Sequence, residues 1–136
     1  MPLEVTADSN IYISALVFAG RPLQFLDAAR AGVIRLAVSD ALLAEIYRIL
    51  RDKVRWPPED LAEAATDLAD FTVRVSPTQT IDAVPEDPDD NRVLECAVAA
   101  SSRYIVTGDA ALLRLGQYGG IQIVRVADFM ALINPS

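Results

Sequence analysis

Four acidic side chains in this 136-residue chain stand where backbone geometry would aim them at one point. Asp8 follows a short β-rich run in Val5-Thr6-Ala7-Asp8-Ser9-Asn10, and Asp109 follows another in Val106-Thr107-Gly108-Asp109. Asp90 shares the i, i+3, i+4, i+7 stripe of Val93, Leu94, Ala97, Val98 and Ser101, so at the first turn of a helix it points toward a core. Glu45 lies at the margin of its own helix's apolar stripe, between Leu42 and Ile49, and could reach over the same edge. Burying such a carboxylate without compensation costs several kcal/mol, so Asp90 needs a cation, hydrogen-bond donors or a raised pKa. Acids gathered this way repel at neutral pH, and a hard divalent ion with oxygen ligands neutralises them.

Taken singly, each acid has a plainer reading. Asp87 before Pro88 fits an N-cap with proline at N1, and Asp89 favours the same helix's dipole. Glu86 and Glu95 read as solvated surface. Asp109 could cap the next helix, Asp8 could close an Asx-turn, and Glu45 could pair with Arg48 at i+3. It is the set that points to chemistry.

Counting narrows that chemistry further. The chain has no histidine, which removes Ser-His-Asp triads, imidazole bases and most zinc sites. The lone Cys96 can form neither an internal disulfide nor a thiolate cluster, as expected of a reducing compartment. Catalysis must rest on carboxylates. With 52% hydrophobic and 23% charged residues the chain should be globular, and residues 1–136 read as one domain. No apolar run reaches the ~20 residues of a membrane span and no leader pattern opens the chain, so the expected location is cytoplasmic with no membrane partner. The net charge of −7 argues against a polyanionic partner only in bulk: setting the four candidate acids aside takes −7 to −3.

The elements that must position these residues alternate. Residues 3–7, 33–38, 71–75, 104–107 and 121–126 read as strands, and 21–31, 40–52, 59–70, 89–102, 109–115 and 127–133 as helices. Such alternation indicates right-handed βαβ crossovers and a mainly parallel sheet covered on both faces. Ligand sites in such sheets form beyond the carboxyl ends of strands where the winding reverses. If the first three strands wind one way and the last two the other, strands one and four become neighbours and Asp8 and Asp109 share a crevice. The longest irregular stretch, 76–88, runs straight into the acids around Asp87. Tyr12, Leu16, Val17 and Phe18 suggest an apolar helix for which core packing is the simplest role.

In order along the chain, Asp8-Ser9-Asn10-Ile11-Tyr12-Ile13-Ser14-Ala15-Leu16, Leu43-Ala44-Glu45-Ile46, Asp87-Pro88-Asp89-Asp90-Asn91-Arg92-Val93-Leu94-Glu95-Cys96-Ala97 and Tyr104-Ile105-Val106-Thr107-Gly108-Asp109 resemble the PIN-domain family, in particular the toxin subfamily related to VapC. The resemblance implies a three-layer α/β/α sandwich around a mainly parallel five-stranded sheet. It implies an Mg²⁺- or Mn²⁺-dependent endoribonuclease in which Asp8, Glu45, Asp90 and Asp109 form the acidic, metal-holding tetrad and Ser9, Asn10 and Thr107 orient carboxylates or water. A divalent ion there would make water nucleophilic and stabilise charge developing on the phosphodiester. It also implies the toxin of a type II toxin-antitoxin system, with a small antitoxin protein and a homodimer as partners.

An RNA substrate needs positive charge, and Arg48, Arg51, Lys53 and Arg55 supply it in one stretch. All basic residues but Lys53 are arginine, suited to bidentate phosphate contacts. Trp56, beside Pro57-Pro58, reads as a packing anchor more than a base-stacking platform. Other acid-bearing α/β domains fit less well. A receiver domain needs a lysine after its last strand, a dehalogenase-type phosphatase needs an aspartate where Asn10 stands, and a Rossmann domain needs a glycine-rich first turn. The alternative of a different class is a PIN-like module that binds RNA or a protein without cutting.

Overall fold

The computed structural model describes residues 2–134. Its elements run β1 (Leu3–Ala7), α1 (Ser9–Phe18), α2 (Gly20–Arg30), β2 (Ile34–Val38), α3 (Asp40–Asp52), α4 (Pro58–Phe71), β3 (Thr72–Arg74), α5 (Pro88–Ala99), β4 (Tyr104–Val106), α6 (Ala110–Leu115), β5 (Gln117–Tyr118), β6 (Ile121–Val124) and α7 (Val126–Ile133). The strands form one sheet in the order β3-β2-β1-β4-β6-β5, parallel except for β5 against β6. The winding reverses between β1 and β4, so the carboxyl ends of these two strands lie side by side.

Helices flank the sheet. Right-handed crossovers put α1 to α4 on one face and α5 and α6 on the other; α5 packs on β1, β2 and β4, while α7 returns to pack on α2. The central strands are buried on both faces: Val5, Thr6, Ala7, Ile105 and Val106 are all inaccessible to solvent, as expected of strands in a parallel sheet covered on both faces. Phe129 of α7 sits edge-on to Phe25 of α2 and to Tyr104 of β4, with ring centroids 5.6 and 5.5 Å away, locking the C-terminal helix onto the core.

Helix starts follow the capping chemistry in the sequence. The Leu42 amide donates to Ser39 Oγ at 3.3 Å to open α3, and Pro58 occupies the first position of α4. Asp87 and Asp109 cap α5 and α6, so the plainer roles considered for them are filled as well, while Asp8 caps α1 rather than closing an Asx-turn.

Three details differ from the sequence reading. The sheet has six strands rather than five, because Gly119 and Gly120, with φ of 55° and 85°, turn the chain back so that Tyr118 pairs with Ile121. Glu95, read as solvated, is buried and bonded to the loop before α5. Phe18 at the end of α1 is 79% exposed while Tyr12 on the same helix is fully buried, so only the inner part of that apolar stretch joins the core.

Candidate functional site

Parallel pairing of Thr6 with Ile105 and Ala7 with Val106 brings Asp8 beside Thr107. Asp8 is 4% exposed. One of its oxygens accepts from the Ile11 amide at 3.1 Å, capping α1, and the other accepts from the Thr107 hydroxyl. Thr107 Oγ in turn accepts from the Asp109 amide at 2.9 Å, and Asp109 accepts from the Leu112 amide at 3.0 Å. The hydroxyl therefore ties the two strand-end aspartates into one assembly. Burial pushes the Asp8 carboxyl up to about 6, against the lowering effect of its bonds to Thr107 and Ile11 and with some help from the Asp109 charge.

The second side of the site is the first turn of α5. Asp87 Oδ1 accepts from the Asp89 amide at 3.1 Å, which fixes the carboxylate at the start of the helix. Asp90, 5% exposed, points inward from the stripe, and its buried Oδ2 has no hydrogen-bond partner. Asp87, Asp90 and Asp109 can each place an oxygen within 4.8 Å of the other two. Burial, together with the neighbouring Asp109, Asp87 and Asp8, raises the Asp90 carboxyl to about 8. Burial also acts upward on Asp109, but hydrogen bonds from Asp90 and from the Leu112 and Ala111 amides hold it below the usual carboxylate value.

Glu45 closes the third side from α3. Burial and the charge of Asp89 raise its pKa, while a bond from Ser9 and the nearby Arg48 act the other way. The resulting crevice, about 50 Å³, is lined by Asp8, Ser9, Glu45, Asp90 and Asp109 with Asn10 at its margin, and by Asp87 and Asp89, for which sequence reasoning favours helix-capping and dipole roles and leaves a part in the site open. Thr107 lies beneath it, bonded to Asp8. The N-termini of α1 and α5 both open onto the crevice, and their helix dipoles favour negative charge there.

The basic stretch is only partly drawn in. Arg48 stands one turn from Glu45 and acts on its charge. Arg51 is paired with Asp52 at 2.7 Å, Lys53 ends α3, and Arg55, at a left-handed φ of 66°, lies past the helix; none of these lines the crevice. A cation that sequence reasoning did not single out, Arg114 of α6, lies near Asp109 and approaches Glu86 at 3.6 Å. Its signal was available: it sits within the short helix that Asp109 caps. Trp56 is half-buried against the core, in keeping with an anchor. A larger groove of about 370 Å³ beside Trp56 and Leu16 has no convergent polar set: Asp60 and Glu63 are exposed and Asp67 is paired with Arg30 at 2.6 Å.

The crevice offers only oxygen ligands, which suits Mg²⁺ or Mn²⁺ and not the softer ions that thiolate or imidazole select. The fit rests on Asp90: a desolvated carboxylate oxygen without a donor, facing two more carboxylates, is the arrangement a divalent ion compensates.

A sequence model of the PIN domain family matches residues 4–111. No curated protein matches the chain. Among solved structures, the crystal structure of PAE2754 from Pyrobaculum aerophilum superposes over 98% of this chain and 91% of its own, with a TM-score of 0.60 and 18% sequence identity. At that identity the likeness is one of fold.

Proposed function

The chain belongs to the PIN-domain family, whose members are generally metal-dependent nucleases, and on that premise we propose that it is an Mg²⁺- or Mn²⁺-dependent endoribonuclease acting at the acidic crevice. The observation that carries the proposal is the buried, unpartnered oxygen of Asp90 within ligand reach of Asp87 and Asp109. Asp8 and Asp109 from the strand ends, with Asp87 and Asp90 from the start of α5, would hold the ion, and Glu45 of α3 and Asp89 of α5 would face it. When bound, the ion supplies Lewis acidity, activating water at neutral pH and offsetting charge on the phosphoryl oxygens.

The chain's own residues do the rest. Thr107 and Ile11 hold Asp8 ionised at neutral pH and fixed in orientation, so it need not reorganise during the reaction. A bond from Ser9 likewise opposes the upward effect of burial on Glu45. Asn10, exposed at the mouth, can hydrogen-bond the ribose or phosphate of an incoming strand. The Thr107 and Ser9 hydroxyls are engaged with the Asp8 and Glu45 carboxylates, which assigns both to orienting carboxylates.

Purified protein should cleave single-stranded RNA with Mg²⁺ or Mn²⁺, lose that activity in EDTA and regain it on adding Mn²⁺. Cleavage that persists in EDTA would sink the proposal. Arg48 is the member of the basic stretch best placed to hold RNA phosphate, with Arg51, Lys53 and Arg55 extending the path. Arg48→Ala should raise KM several-fold with kcat little changed, and lower the slope of log affinity against log salt by about 0.7, as for one lost phosphate contact on a single strand. An unchanged slope removes Arg48 from the path. The toxin role, with a small antitoxin and a homodimer, is supported by the sequence resemblance, and growth arrest on expression is its cellular readout.

A further inference from the structure

The stretch between β3 and α5 contains no helix or strand, yet two of its residues are held from α5 by both of their backbone groups. The Val84 amide donates to Asn91 Oδ1 at 2.8 Å, and Asn91 Nδ2 donates to the Val84 carbonyl at 2.9 Å. One turn further, Glu95 Oε2 accepts from the Ile81 amide at 2.9 Å and from the Arg92 guanidinium at 2.9 Å, and Arg92 reaches the Ile81 carbonyl at 3.4 Å. Asn91 is 2% exposed, and Ile81 and Val84 insert their side chains into the core. A surface loop leaves such groups to water; this one is fastened.

The fastening ends at the acids. The Val84 carbonyl that accepts from Asn91 also accepts from the Asp87 amide at 3.2 Å, closing the turn that delivers Asp87 to the N-cap. The Asp87 carbonyl then accepts from the Asp90 amide at 3.1 Å. One carbonyl thus connects Asn91 directly to the residue whose carboxylate joins Asp90 and Asp109.

We propose that Asn91, supported by Glu95, is a positioning residue of the acidic site, holding the Val84–Asp87 turn so that Asp87 stays within ligand reach of Asp90 and Asp109. This rests on the metal-dependent reading above. It touches neither ion nor RNA; it acts through Asp87. Groups that orient metal ligands typically change metal affinity by about 10- to 100-fold when removed.

The test is calorimetric titration of the full chain with Mn²⁺ alone, comparing the parent with Asn91→Ala, Asp87→Ala and the double variant. Asn91→Ala should weaken Mn²⁺ binding by at least about 10-fold, and the double variant should bind no more weakly than Asp87→Ala alone, because the two act in series. A purely structural loss would lower the melting temperature and leave the affinity of the folded protein unchanged. Glu95→Gln keeps an acceptor for the Ile81 amide and should retain the parent's affinity, whereas Glu95→Ala should not; this pair decides the matter if Asn91→Ala does not fold. Parental affinity in Asn91→Ala, additive losses in the double variant, or equal affinities in the two Glu95 variants overturn the proposal. A parent that binds no Mn²⁺ overturns the metal-dependent reading and this proposal with it.

Discussion

Asp90→Asn should abolish RNA cleavage, by about 10³-fold or more, while making the metal-free protein more stable at alkaline pH. The first effect follows from charge: asparagine has nearly the shape of aspartate but cannot supply the anionic oxygen that now lies buried without a partner. A thousandfold loss corresponds to about 4 kcal/mol of transition-state stabilisation, within what a bound divalent ion contributes. The opposite sign on stability has the same source. In the absence of metal, ionised Asp90 faces Asp109, Asp87 and Asp8 in a desolvated crevice, which is why its carboxyl is raised to about 8. Asparagine removes that repulsion. Initial rates with Mn²⁺ and melting curves in EDTA and in Mn²⁺ measure both. Saturating metal at about 100 times its Kd should stabilise the parent by about 2.7 kcal/mol and leave the variant nearly unmoved. A variant that keeps cleaving, or that gains as much from Mn²⁺ as the parent, shows that Asp90 does not hold the ion.

How far the sequence leads can be seen residue by residue. Asp8 and Asp109 were legible because each ends a β-rich run, and strand ends in a parallel sheet have a fixed direction; their adjacency needed the strand order, which hydrophobic patterning does not encode. Asp90 was legible from helical periodicity alone, and it is buried as that stripe requires. Asp87 was half-legible. Its capping role follows from Pro88, but a cap occupies one carboxylate oxygen, and nothing in the local pattern says where the other points. Asn91 and Glu95 were opaque because their partners are backbone groups of a loop whose path only tertiary packing sets. Strand β5 was missed because a strand as short as Gln117–Tyr118 has no periodicity, although the Gly119-Gly120 pair was a hairpin signal in plain view. Composition misled in one respect: the acid excess read first as hostility to RNA marks the concentration of carboxylates at one crevice.

Asp8→Asn should likewise abolish cleavage, and it should stabilise the metal-free protein in a way that switches on with pH. The Asp8 carboxyl titrates near 6 in the folded protein and near the ordinary aspartate value when unfolded, so the folded state holds the proton more tightly. A raised carboxyl contributes its stability in full below the unfolded value and loses it as pH rises through the folded value. By pH 8 the loss amounts to about 3 kcal/mol for a displacement of this size. Asparagine keeps an oxygen for the Ile11 amide and does not titrate, so it escapes the loss. The difference in stability between variant and parent in EDTA should therefore be small at pH 4 and grow to about 3 kcal/mol by pH 8, on the order of 10 °C in melting temperature for a chain of this length. Taking the difference cancels every other titrating group the two proteins share. Saturating Mn²⁺ should erase the trend in the parent, because the ion binds the ionised carboxylate and returns what burial takes away. Melting curves at intervals from pH 4 to 8 decide it: a difference that stays constant across that range places Asp8 at an ordinary carboxylate pKa and removes the case that the strand-end acids are held in readiness for a cation.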